Sequence, residues 1–147
     1  MEVIVSHLGR IEYDPAEVIE FAEGLYGFEH LHRFIYVEAQ GDSLFGFLQS
    51  LDDAQVAFVV AIPGKFIPGY SLAIFKKDYD YLDVRSREEL LDLAIVTVPE
   101  NIEETSANLL GPVLINVRTK KGRQVISQST EYGTKHRILA DLARAAV

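Results

Sequence analysis

Apolar residues fall along this chain in short clusters of strand length, separated by Gly, Pro, Asp and Asn, and helical spacing is confined to brief stretches. The densest stretch is 44–62, where two apolar runs, 44–48 and 56–62, flank a polar break from Gln49 to Gln55. Neither run alternates cleanly, the pattern of strands covered on both faces. It predicts a hairpin at the centre of the core, with Asp52 and Asp53 at its turn, where Asp side chains bond local backbone. Around it the pattern predicts an opening hairpin from 3–5 and 11–13, and further strands at 18–21, 33–38, 70–75, 94–99, 113–117 and 124–128. Gly24 and Gly27, around two large apolar residues, predict a compact positive-φ turn that tucks Leu25 and Phe28 inward. Ser86 followed by Glu89 reads as a capping box and predicts a short helix with Leu90, Leu91 and Leu93 partly buried. Residues 100–111 read as a connection, Pro112 as the start of the next strand, and 120–123 as a basic turn. Ile138, Leu139, Leu142 and Ala146 predict a second helix over 134–147. The expected fold is α+β, mainly β: a small antiparallel barrel-like domain with two short helices.

A chain of 147 residues with 48% hydrophobic content fits one domain with a real core. The expected division is a barrel over 1–137 and a helical tail over 138–147. Absence of cysteine excludes disulfides and thiolate chemistry. The N-terminus lacks a basic, then long apolar, signal pattern, and no apolar run approaches ~18 residues, so a soluble cytoplasmic protein without membrane contact is expected. Charge is uneven. Residues 1–112 hold twenty acids against seven Lys/Arg, while 113–147 hold two against seven. That balance argues against broad nucleic-acid binding and suits a basic protein partner.

Candidate chemistry is sparse. His30 and His32 lie two apart without a third ligand in a recognisable pattern, adjacent Asp52 and Asp53 point apart in a strand, and no serine sits in a nucleophile elbow. The glycines at 24 and 27 lack the lysine of a phosphate loop. Lys120, Lys121 and Arg123, without interleaved aromatics, suit a solvated tip better than a phosphate backbone. Asn108 and Asn116 are costly inside apolar sequence unless paired. Their amides either satisfy backbone or, with His136, form the polar pocket of a small enzyme or ligand-binding domain. No catalytic residue, metal site or cofactor is expected.

Several motifs, in order, carry a family likeness: residues 23–29 (Glu-Gly-Leu-Tyr-Gly-Phe-Glu), 47–53 (Phe-Leu-Gln-Ser-Leu-Asp-Asp), 57–60, 95–99 (Ile-Val-Thr-Val-Pro), 105–109 (Thr-Ser-Ala-Asn-Leu), Gly111-Pro112, Ile115-Asn116 and Tyr132 with His136-Arg137. The chain resembles the FliW family of flagellar assembly factors, departing at Tyr26, where the family often has Pro, and at Gly111, where it often has Ala. The resemblance implies a non-enzymatic cytoplasmic chaperone and translation regulator with a barrel-like fold. Such proteins bind flagellin and, when flagellin is exported, bind and antagonise the RNA-binding regulator CsrA, relieving repression of flagellin mRNA translation. A monomer without direct nucleic-acid contact is expected. Gly24, Gly27, Phe28, Gln49, Leu51, Asp52, Asp53, Pro99, Asn108, Pro112 and Asn116 belong to the family signature, with structural roles expected. For the basic regulator, the expected contact is the acidic stretch holding Asp78, Asp80, Asp83, Glu88, Glu89, Glu103 and Glu104. For flagellin it is an apolar groove with Tyr70, Tyr79 or Tyr81.

Overall fold

The structure is a computed structural model that describes residues 1–38 and 44–138. The expected central hairpin is present: β5 (Phe45–Ser50) and β6 (Ala57–Ala61) pair antiparallel, with Phe45 opposite Ala61 and Gln49 opposite Ala57. Further strands are β1 (Glu2–Ser6), β2 (Gly9–Tyr13), β3 (Ile19–Glu20), β4 (Arg33–Glu38), β7 (Leu90–Thr97), β8 (Ser106–Asn116), β9 (Lys121–Gln124) and β10 (His136–Arg137). The opening hairpin β1–β2 forms a sheet of its own. The remaining strands run in the order β8-β7-β6-β5-β4-β3-β9, and β9 returns to β8, closing a seven-stranded barrel. Its pairings are antiparallel except at the seam between β3 and β9, where Glu20 stands beside Lys121 in parallel. There the Glu20 N–H donates to the Lys120 carbonyl at 2.9 Å.

Each main strand sends a side chain into one core. Phe34, Leu48, Val60, Leu93 and Val113, from β4 to β8, are fully buried together with Phe21, whose ring meets Phe34 edge to face at 5.3 Å. Burial of this kind yields roughly 25 cal/mol per Å² of apolar surface, the main favourable term in the fold. Alternation along β7 and β8 turns Leu90 and Leu114 outward. They pack with Ile74, Leu82 and Val125 under the helix α1 (Lys76–Tyr81).

Several expectations change. Residues 70–75 make no ladder, although the Ala73 carbonyl accepts the Gln128 N–H at 2.7 Å. The capping box at Ser86 fails. Its side chain makes no cap bond, the segment is a single 3-10 turn (Arg87–Glu89), and Leu90 already begins β7. The Glu89 carboxylate instead accepts the Arg85 N–H, and Leu90 and Leu93 gain more burial in a sheet than a short surface helix offers. The α-helix among the described residues is α1, in sequence legible only as acidic and aromatic. The second expected helix does not begin at Thr134, because β8 leaves an edge at Ser106 and Ala107 that His136 and Arg137 pair with as β10; its remainder at 139–147 lies outside the described residues.

The expected connection at 100–111 and basic turn at 120–123 are largely strand. β8 runs from Ser106 through Pro112 to Asn116, and β9 covers Lys121–Gln124, so the strand expected at 124–128 stops at its first residue, where its partner β8 leaves regular register. Pro112 is tolerated inside β8 because the register slips there. Leu93 faces Val113 but Ile95 faces Asn108, leaving 109–112 as a bulge opposite Ala94. On either side of the bulge β8 serves a different neighbour, β10 at 106–107 and β9 along 113–116.

The seam depends on Gly122. A Cβ there would stand 2.4 Å from Phe21 Cε1, and Phe21 is fully buried against Phe34. Gly122→Ala is expected to cost about 1–3 kcal/mol, read as a lower urea midpoint with unchanged slope.

Candidate functional site

The signature residues mostly serve the backbone around them. At the β5–β6 turn, Ser50 Oγ accepts the N–H groups of Asp52 and Asp53 at 3.1 and 2.9 Å. Gln49, fully buried, donates through Nε2 to the carbonyls of Ser50, Ala54 and Val56. The Leu51 N–H donates to the Arg33 carbonyl, and Asp53 Oδ1 accepts the Gln55 N–H. Asp52 ties this turn to β4: its carboxylate accepts the N–H groups of His32 and Arg33 at 2.7 and 3.0 Å and Arg33 Nε at 3.1 Å. Burial pushes the Asp52 carboxyl up, but those donors outweigh it and hold the pKa below the ordinary value. Gly24 and Gly27 adopt φ of 68° and 85°, as expected of the turn, and Phe28 meets Phe58 edge to face at 5.0 Å.

Asn108 Oδ1 accepts the Leu110 and Gly111 N–H groups at 3.1 and 2.9 Å and so shapes the bulge. Asn116 donates to the Leu82 and Asp83 carbonyls and accepts the Arg118 and Thr119 N–H groups. The Asn108 oxygen and both ends of the Asn116 amide are therefore engaged by backbone, at separate ends of the longest strand. His136 lies beside the Asn108 end, opposite Ala107, its ring 6.3 Å from that of Phe66. The structure does not bring Asn116 to the other two, and none of the three lines the groove above Arg123, the cleft beside His7 and Gln55 or the one between Ile19 and Val117. Among those residues no group of three His, Asp or Glu could hold a metal ion.

The acidic stretch divides in two. Asp78 is buried at 3% exposure, Asp80 pairs with Lys76 at 2.9 Å, and Arg118 bridges Asp83 and Glu89 at 3.3 and 3.0 Å. The Arg85 N–H and then Arg118 hold the Glu89 carboxyl below the ordinary range. Glu88 is exposed beside them. Glu103 and Glu104 lie beyond the far end of β7, on the order of 25 Å away at the usual rise per strand residue. There they share the β7–β8 turn with Glu100, Pro99 and the exposed Val98 and Ile102, and no ion pair engages these three acids among the described residues.

The tyrosines are half-buried. Tyr70 packs on Tyr132 with ring centroids 5.2 Å apart, and burial, then nearby Asp92, raise its phenol well above the ordinary value. Tyr79 and Tyr81 pack on the cluster under α1, and the Arg123 guanidinium lies 4.2 Å from the Tyr81 ring. Arg123 also pairs with Glu23 at 3.2 Å, so this part of the expected solvated basic tip is engaged. Sequence reasoning missed a second apolar surface. Tyr26, Phe75 and Ile126 are exposed and line one groove above Arg123, a convergence that separations of about fifty residues conceal.

Fold and site together define a small closed β-barrel with an exposed acidic turn between β7 and β8 and an apolar-rimmed groove above Arg123. The family model described as "FliW protein" matches residues 2–138. The chain is 39% identical to the flagellar assembly factor FliW of Thermoanaerobacter pseudethanolicus, covering 99% of this chain and 97% of the relative. Against the same factor from Treponema denticola identity is 37%, with 99% and 98% covered. A crystal structure of the flagellar assembly factor FliW superposes with a TM-score of 0.84 at 30% identity, covering 93% of this chain and 96% of that one. The chain belongs to the FliW family of flagellar assembly factors.

Asp52 gives a pH signature. Because its native pKa lies below the unfolded value of about 3.9, its stabilisation is complete well above that value and is lost as pH falls through the native one. Asp52→Asn is expected to lower stability near neutral pH by about 1 kcal/mol and to flatten the acid limb between roughly pH 5 and 3, read by urea unfolding across pH.

Proposed function

We propose that this chain binds flagellin and, when flagellin is exported, binds and antagonises a CsrA-type RNA-binding regulator, so that flagellin mRNA is translated. On this reading it works in the cytoplasm as a monomer, chaperoning flagellin and touching no RNA itself. Family membership along nearly the whole chain supports the setting, and the observation that carries the regulator contact is the β7–β8 turn. Its acids Glu100, Glu103 and Glu104 stand beside Val98 and Ile102, which are 55% and 62% exposed. An RNA-binding regulator is basic around its working surface, so an acidic turn with an apolar centre is complementary to it in charge and hydropathy. Glu88 adds an exposed acid at the other end of β7, whereas Asp83 and Glu89 already have Arg118 as partner. Exposed charges of this kind act mainly on association rate and specificity and are screened by salt.

The double variant Glu103→Lys, Glu104→Lys is expected to weaken capture of purified CsrA about ten-fold at low salt, with the difference shrinking toward 0.5 M or so. Calorimetric titration across salt concentrations checks it. Unchanged affinity and salt slope would remove the turn from the interface, and an electrophoretic shift of flagellin leader RNA by the chain alone would contradict the RNA-free role.

A further inference from the structure

Three exposed apolar side chains from distant segments converge on one groove. Tyr26 on the glycine turn, Phe75 ahead of α1 and Ile126 after β9 are 56%, 43% and 47% exposed. The groove encloses about 200 Å³, below the usual range for small-molecule sites and suited to a side chain of a macromolecule. Its floor is polar. Asp78 is 3% exposed, yet its carboxylate meets Arg123 Nε only at 3.7 Å, beyond hydrogen-bond length. Arg123 is committed to Glu23 at 3.2 Å and to the Tyr81 ring at 4.2 Å. Gln124, beside it, accepts the Tyr26 N–H and donates to the Gly111 carbonyl.

A carboxylate offers acceptor sites on both oxygens, and those of Asp78 accept no side-chain or backbone hydrogen bond among the described residues while staying open to the groove. Asp78 thus offers an acceptor without a charge to neutralise, because Glu23 and Asp78 are already balanced at the groove by Arg123 and by Lys77, whose ammonium lies 5.4 Å from the Phe75 ring centroid. The complementary occupant is therefore uncharged: an apolar anchor between Tyr26, Phe75 and Ile126, with an amide or hydroxyl within reach of Asp78. A helix places two such groups on one face at i and i+3 or i+4.

We propose that this groove seats the uncharged amphipathic face of a partner's helix, one apolar side chain between the three rim residues and a neutral donor on Asp78. The proposal rests on the reading that the chain binds flagellin helices, and it assigns that contact to a surface separate from the acidic turn. The test titrates purified full-length flagellin into the wild-type chain and into Tyr26→Ala, Phe75→Ala and Ile126→Ser, with thermal unfolding as a control on folding. At exposed positions these changes are expected to leave unfolding nearly unchanged and to raise the flagellin Kd roughly ten-fold each. The ratio to wild type should hold between about 0.05 and 0.5 M salt, and CsrA capture should be unaffected. Flagellin binding equally tight in wild type and variants overturns the groove and leaves the function standing. Failure of the wild-type chain to bind flagellin overturns both. Loss of self-association in Phe75→Ala by light scattering, with flagellin affinity intact, assigns the groove to a second copy and likewise overturns the proposal.

Discussion

The barrel closes through one short parallel contact between β3 and β9, and the rest of the fold is arranged to make that contact possible. Two-residue β3 supplies little ladder, so the seam relies on the Glu20–Lys120 backbone bond and on the packing behind it. Phe21 is that packing: fully buried, edge-on to Phe34, and pressed against the face of β9 where Gly122 has no side chain. Any larger residue at 122 sets backbone pairing against aromatic burial. Closure in turn leaves β8 as the longest strand, with an edge that serves two neighbours, and its bulge lets one strand take both directions.

Polar side chains inside this frame act mainly as braces. Gln49, Asn108, Asn116 and Gln124 each bind main-chain groups that a turn, a bulge or a strand end leaves without ladder partners. A buried amide used this way resists substitution as strongly as a catalytic group, because losing it strands a buried carbonyl or N–H at about 1–3 kcal/mol.

What the sequence discloses and what it conceals divide along the range of the interactions involved. The β5–β6 hairpin and the Gly24–Gly27 turn are legible because their determinants lie within about ten residues. The capping box at Ser86 is equally local and misleads, since Leu90 and Leu93 are claimed by the sheet. Asn108, Gly111 and Pro112 spell a turn and form a bulge inside a strand, a distinction that depends on β7 lying alongside. The acidic stretch looks continuous until β7 carries its two ends apart. The groove at Tyr26, Phe75 and Ile126 has no local signal at all, because its members meet only after the seam has closed.

The two exposed surfaces differ in kind, and that difference bears on how partners would exchange. An acidic, solvent-exposed turn accelerates encounter with a basic protein but contributes little to retention once salt screens it. A groove with aromatic walls and a carboxylate acceptor on its floor works the other way, since its desolvated contacts govern dissociation more than association. On the proposed reading, flagellin is then the partner held by slow release and the regulator the partner caught by fast arrival. Gln124 lies between the two surfaces, one end of its amide on the Tyr26 N–H at the groove and the other on the Gly111 carbonyl in the bulge of β8, the strand that leads to the acidic turn. If occupancy of one surface alters the other, that side chain is one physical link through which the coupling can run.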